Sequence, residues 1–276
     1  MTGAVPGRPV PVVEGLGLGE SPRWRDGRVW FCDWLEGQVM SVTPDGADRI
    51  VHAELDGFPI CIDWDVEGHL LFVDGAGRRV LRRVDGGGTE LVAELSSISD
   101  RPWNEIAAHP SGRVYVNGVG FDLLAGEPPA MGQIAVIEPD GTARAVAGDL
   151  AFPNGMVFVD GGRRLVVAES HAGRLTSFAV TSSGELVDRS TIADLPGSAP
   201  DGLAAAPDGS IWYADVPNRH CRRIDPTGAV AETVPVDRGC FSCALSPAGT
   251  LFVTATVWDD RTFASRRGVL LRVDRC

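Results

Sequence analysis

The chain has 276 residues, 44% of them hydrophobic, and a formal net charge of −12. Nucleic acid and anionic membranes both call for a basic face, so this balance argues against either as the main partner and points to a small-molecule substrate or a cation. All 25 basic side chains are arginine, and without a single lysine, Schiff-base catalysis and a lysine-based phosphate loop are excluded.

Residues 1–17, MTGAVPGRPVPVVEGLG, lack the charged start and continuous apolar stretch of a secretory signal. No apolar run reaches the roughly 18 residues of a membrane-spanning helix, so a cytoplasmic location is expected. Thirty-four glycines and 19 prolines are dispersed along the whole chain, which marks many short elements rather than a linker. At this length an all-β chain is expected to form one domain, here 1–276.

Six segments of one pattern follow in chain order: ESPRWRDGRVWFCD from Glu20, ICIDWDVEGHLLFVD from Ile60, NEIAAHPSGRVYVNG from Asn104, NGMVFVDGGRRLVVAES from Asn154, DGLAAAPDGSIWYAD from Asp201 and FSCALSPAGTLFVTA from Phe241. Each reads as a strand, a tight turn ending in glycine, and an apolar strand. The turn glycines, Gly27, Gly68, Gly112, Gly162, Gly209 and Gly249, recur every 40 to 50 residues, the length of one four-stranded propeller blade. A third strand follows in each unit: QVMSV, RVLRR, QIAVI, RLTSFAV, HCRRI and, last, VLLRVD. The fold expected is an all-β, six-bladed β-propeller. Its last blade is one strand short, so residues 9–14 are expected to pair there and close an otherwise exposed edge. A two-sheet sandwich is the competing architecture, disfavoured by six spaced repeats of one unit.

Seven or eight residues before each turn glycine lies the position that opens the first strand, where one residue per blade can converge at the mouth of a central channel. Four of the six are oxygen-bearing: Glu20, Asn104, Asn154 and Asp201, whereas blades two and six offer Ile60/Cys61 and Phe241/Ser242. Two carboxylates and two amides suit a hard cation. Asn-Gly at 154–155 and Asp-Gly at 201–202 also read as plain turn formers. Against that, each unit already has its turn further on, Glu20 is a poor turn residue, and grouped carboxylates are costly without a cation.

GESPRW at 19–24, RPWNE at 101–105, FPNG at 152–155 and APDGL at 199–203 resemble the senescence marker protein/gluconolactonase (regucalcin-like) family from end to end. The resemblance implies a metal-dependent hydrolase of a lactone or similar small ester, with Glu20, Asn154 and Asp201 as metal ligands and Asn104 as a fourth ligand or a substrate contact. It also implies Asp201 as general base. The family shows an arginine, one residue, then Asn-Asp; here Arg101 is followed by two residues and Asn104–Glu105. Arg101 is thus a candidate substrate contact, as is Trp103 beside Asn104. Phe121 stands where sugar-lactone members carry an acid, which points to a less polar substrate. One divalent ion is expected, Ca²⁺ first, with Mg²⁺, Mn²⁺ and Zn²⁺ also compatible with oxygen ligands. The alternatives are other metal-dependent chemistry, such as phosphotriester hydrolysis, isomerisation or a ring rearrangement, and a propeller that only binds a ligand or partner.

The remaining candidates carry less. None of the five histidines, at 52, 69, 109, 171 and 220, falls at the channel position, and His171 and His220 read as loop residues. No G-x-S-x-G occurs, against a serine hydrolase. Six cysteines are expected to be reduced; Cys240 and Cys243 form a lone CxxC, a weak zinc signal without a second pair. Trp24, Trp30, Trp64 and Trp212 are expected to pack between blades.

Overall fold

The computed structural model describes residues 7–56 and 58–275, and within them the chain is all-β. The only helical pieces among the described residues are two 3₁₀ turns, Asp160–Gly162 and Thr262–Ala264. None is long and apolar enough to cross a membrane.

Strand β1 is Val10–Leu16. Blade one comprises β2 Gly19–Arg25, β3 Arg28–Asp33, β4 Gln38–Val42 and β5 Arg49–Glu54. Blade two comprises β6 Ile60–Trp64, β7 Leu70–Asp74, β8 Arg79–Arg83 and β9 Thr89–Glu94. Blade three has β10 Ile106–Ala108, β11 Val114–Gly118, β12 Gly132–Ile137 and β13 Ala143–Leu150. Blade four has β14 Pro153–Val159, β15 Arg164–Glu169, β16 Arg174–Val180 and β17 Leu186–Asp194. Blade five has β18 Pro200–Ala205, β19 Ile211–Asp215, β20 His220–Ile224 and β21 Val230–Pro235. The last has β22 Gly239–Leu245, β23 Leu251–Thr256 and β24 Gly268–Val273.

The first five blades are sequential antiparallel meanders, and the sixth has the order β1-β24-β23-β22. The architecture is a six-bladed β-propeller whose last sheet is completed from the N-terminal side, as the missing fourth strand of that blade predicts. β1 pairs with β24 from Val10 opposite Arg272 to Leu16 opposite Gly268, which covers an edge that would otherwise present unpaired amides. The turn glycines make the hairpins possible: Gly209 and Gly249 have φ of 82° and 86°, a region in which a side chain is strained.

The chain divides into two compact units, Met1–Glu54 with Ser198–Cys276 and Leu55–Gly197. In the first, blades five and six share a core of Trp212, Ala214, Cys221, Val234, Cys240, Cys243, Val253 and Leu271. Blades six and one bury Phe31, Met40, Phe252 and Leu270 together, with Trp24 stacked on Phe252 at 5.7 Å. In the second unit Tyr115, Ile134, Leu165 and Phe178 form the equivalent core of blades three and four. The middle strands are apolar because both their faces are covered, whereas the outer β5, β9 and β17 are largely exposed.

The lone CxxC belongs to this packing. Cys240 and Cys243 are fully buried in the apolar core, and the Cys221 thiol, also buried there, has its pKa pushed up by desolvation and by its two cysteine neighbours. The five described cysteines are free thiols, and Cys276 lies outside the described residues.

Candidate functional site

The residues opening the first strands are not turn residues. Asn154–Gly155 lies within β14 and Asp201–Gly202 within β18. Register slips by β-bulges occur between Glu20 and Arg23, between Pro153 and Met156, and between Pro200 and Leu203. A bulge re-aims the side chain beside it, and bulges recur next to functional sites. Ser21, after Glu20, and Phe152, before Asn154, hold φ of 51° and 59°, left-handed values unusual for residues with side chains. Blade two, which offers only Ile60 and Cys61 at this position, pairs β6 with β7 in unbroken register.

Gly202 has a steric reason for being glycine. A Cβ there would lie 2.6 Å from Cα of Ser242 and 1.9 Å from its Oγ, so β22 presses directly on the residue after Asp201. Gly202→Ala is expected to cost about 1–3 kcal/mol through overpacking, read as a lower melting temperature. Near-parental melting of that variant would show that β22 yields.

Apart from Glu105, the buried acids divide into two groups. Asp33, Asp74, Glu169 and Asp215 end the second strands of blades one, two, four and five and hold loops. Asp33 accepts from Gly17 N at 2.9 Å, Leu18 N at 3.2 Å and Leu35 N at 3.2 Å. Asp74 accepts from Gly77 N and Arg79 Nε, and Asp215 from Asn218 N and Nδ2. These are structural. Glu20 and Asp201 form the other group, 6% and 8% exposed at the starts of first strands. Glu20 Oε2 accepts from its neighbour Ser21 N at 3.0 Å. Within this unit β2 and β18 both pack against β22.

In the other unit the structure brings Asn104 and Asn154 together: Asn104 Nδ2 donates to Asn154 Oδ1 at 3.4 Å. Asn154 Nδ2 reaches Ser170 Oγ at 3.5 Å. Asn117, fully buried at the fourth residue of β11, is the node beneath both. Its Nδ2 donates to Asn154 O at 2.6 Å, its carbonyl accepts Asn104 N at 2.6 Å, and its Oδ1 accepts Glu105 N at 3.2 Å. The sequence pattern does not single it out, although an amide inside the apolar run VYVNG is the available signal. Glu105 is likewise buried and accepts from Ile106 N at 2.8 Å.

Of the suggested substrate contacts, Trp103 is fully buried and so offers no surface to a small molecule. Arg101 is partly exposed, with its guanidinium engaged by Asp100 at 2.9 Å and Glu127 at 2.7 Å. Phe121 is buried beside Phe152 and His171, at ring separations of 5.7 and 6.1 Å. His171 is an exposed loop residue, as expected; partial desolvation of its imidazole lowers its pKa and favours the neutral form. His220 is not in a loop: it opens β20, is buried, and has its pKa lowered by burial and then by Arg222, against the pull of Asp215.

Asp65, Glu67 and His69 bring three potential ligand atoms together in the β6–β7 turn. Asp65 there accepts from Glu67 N and His69 N and meets the Arg82 guanidinium at 3.5 Å, so turn formation explains its place.

By donor type, the two buried carboxylates of the first unit suit a hard divalent ion, and so, in the second unit, does the Asn154 amide oxygen, which keeps a lone pair beyond its 3.4 Å contact. Burying ionised carboxylates is costly, and a cation offsets that cost.

Comparison of the fold with solved structures gives close likenesses at low identity. A gluconolactonase from Xanthomonas campestris matches with TM-score 0.81 and 21% identity, covering 98% of this chain and 90% of that one. A luciferin-regenerating enzyme matches with TM-score 0.83 and 16% identity over 98% and 95%. A calcium-binding regucalcin from Agrobacterium tumefaciens gives 0.77 and 21% over 98% and 93%. Comparison with curated protein sequences gives no match. The family model of the SMP-30/gluconolactonase/LRE-like region matches residues 18–257, and the chain belongs to that family.

Proposed function

We propose that the chain, acting as one domain over 1–276, is a divalent-metal-dependent hydrolase of a lactone or similar small ester. The observation that carries this reading is the burial of Glu20 and Asp201 on bulged first strands, apart from the acids that hold loops. Family membership supports it. Glu20, Asn154 and Asp201 would hold the ion, and Asn104 would be a fourth ligand or orient the substrate. A bound divalent cation supplies Lewis acidity toward a carbonyl oxygen. Asp201 would take the proton of the attacking water. Asn104 and Asn154 are held in place by Asn117 and hold or orient without moving a proton. All-oxygen donors favour Ca²⁺, and the likeness to a calcium-binding regucalcin agrees; Mg²⁺, Mn²⁺ and Zn²⁺ remain compatible. Free, buried thiols suit the cytoplasmic setting we assign.

Folds of this kind also serve a luciferin-regenerating enzyme and a streptogramin B lyase, so the reaction has to be tested directly. A screen of lactones, aryl esters and phosphotriesters with and without EDTA separates hydrolysis of esters from other metal chemistry and from ligand binding alone.

The metal assignment has its own readout. Glu20, Asn154 and Asp201 lie far apart in sequence, so only the folded chain presents them jointly. A ligand that binds only the folded state at a hundredfold excess over Kd stabilises by roughly 2.7 kcal/mol. EDTA is therefore expected to lower the melting temperature and to remove one equivalent of metal measured by elemental analysis. Glu20→Gln and Asn154→Ala should each reduce both the bound metal and the EDTA-induced shift, while His69→Ala, in the β6–β7 turn, should leave both unchanged. Metal retention at the parental level in the first two variants would remove them as ligands.

A further inference from the structure

The segment between β23 and β24 carries two large aromatic side chains that remain in solvent, Trp258 at 50% and Phe263 at 42% exposure. They are not on a loose loop. Arg267 holds Asp259 in a two-pronged ion pair, so the two sides of the loop are clamped together. Its guanidinium keeps the Asp259 carboxyl at about 2, well below the usual range. Thr262 Oγ1 donates to Asp259 O at 2.7 Å, Asp259 N to Thr262 Oγ1 at 2.9 Å, and Ser265 Oγ to Arg261 O at 2.8 Å. Arg238 Nη1 donates to Arg267 O at 3.0 Å, and Arg266 pairs with Glu36 at 2.7 Å, anchoring the loop to its surroundings. Such a clamped loop pays its ordering cost before anything binds, the condition for a preformed recognition surface.

The two exposed rings continue inward. Trp258 meets Phe263 edge-on at 6.0 Å and Phe241 edge-on at 5.4 Å. Phe241 is buried on β22 and precedes its turn glycine, Gly249, by the same eight residues that separate Asp201 from Gly209. Both residues sit at bulges, between Cys240 and Ser242 in β22 and between Pro200 and Leu203 in β18, and the two strands touch at Gly202 and Ser242. Gly239 opposite Thr256 puts the start of the loop at the first-strand end of its blade, the end at which Asp201 opens β18. An aromatic row thus runs from the bulge beside the Asp201 strand out to solvent.

We infer that Phe241, Trp258 and Phe263 form the wall that receives the apolar, ring-bearing portion of the substrate, so that the preferred substrates are aryl- or alkyl-substituted lactones or esters rather than polyhydroxylated ones. Aromatic side chains reward stacking against a flat apolar group and give nothing to a hydroxyl-rich one. The reaction part of this inference rests on the hydrolase reading above; the binding part does not.

The test pairs binding with turnover. Isothermal titration with 4-phenylbutyrate and butyrate reads binding, and kcat/KM for γ-phenyl-γ-butyrolactone and γ-butyrolactone reads reaction, in the parent, Trp258→Ala and Trp258→Phe. The expected result is at least a tenfold preference for each phenyl compound in the parent, lost in Trp258→Ala and largely kept in Trp258→Phe. A phenyl preference in binding with no ester turned over would uphold the wall and sink the hydrolase. Turnover with equal phenyl preference in parent and Trp258→Ala would uphold the hydrolase and overturn the wall. Absence of phenyl binding also overturns it; if sedimentation then shows a dimer that Trp258→Ala disrupts, the face belongs to a second copy of the chain.

Discussion

Asp201→Asn is expected to lower turnover by roughly 10²–10⁴-fold, the range that a positioned general base contributes, while leaving the fold as it is. The substitution keeps the shape of a side chain that is buried where β18 opens at its bulge, beside the tight contact of Gly202 with Ser242. It removes the charge and the proton-accepting oxygen together. Because the same change weakens a hard-cation site, the measurement should be made at saturating metal, with occupancy verified, so that a lost base is separated from a lost ion. Circular dichroism and thermal melting should match the parent at equal occupancy. Hydrolysis at near-parental rate would take Asp201 out of the mechanism and leave it, at most, a ligand.

The legible part of the fold was the part with covered faces. The apolar second strands and alternating third strands recur because each blade buries the same two elements, and the hairpin glycines mark the period. The outer strands β5, β9 and β17 carry no comparable pattern, since solvent on one side admits RIVHAE as readily as TELVAE. At the site, oxygen-bearing residues at the starts of first strands stood out against an apolar background. Their backbone setting did not: Asn-Gly and Asp-Gly spell turns in sequence, and only the pairing of β14 with β15 and of β18 with β19 shows bulged strands instead. The full burial of Trp103 was not legible either, because adjacency to Asn104 in sequence says nothing of how deeply a ring is packed. Asn117 went unnoticed because its role depends on partners 13 and 37 positions away, Asn104 and Asn154. The aromatic row of Phe241, Trp258 and Phe263 is likewise assembled by loop geometry rather than by spacing.

Acid is expected to weaken the fold through Glu169. Its side chain ends β15 with no solvent exposure. Burial alone would raise its pKa, but the Arg174 guanidinium, the Thr176 hydroxyl and the Ala151 amide outweigh that and bring it from 4.5 to about 2. Arg189 adds a second cation at 3.2 Å. A carboxyl with a folded pKa below its unfolded one contributes stability that is complete above pH 4.5 and is lost as pH falls toward 2. The contribution is about 3 kcal/mol, taking 1.36 kcal/mol per pKa unit. Glu169→Gln should therefore melt lower than the parent at pH 7, because two arginines lose their shared buried partner, a loss of about 3–5 kcal/mol. Between pH 4.5 and 2 the gap between the two should close, since protonation of the parent reaches the same uncharged state. Urea unfolding at pH 7, 4 and 3 measures both. A gap that stays constant across that range would mean that the carboxylate's charge is not what joins the end of β15 to Arg174 and Arg189, and that packing of the side chain is.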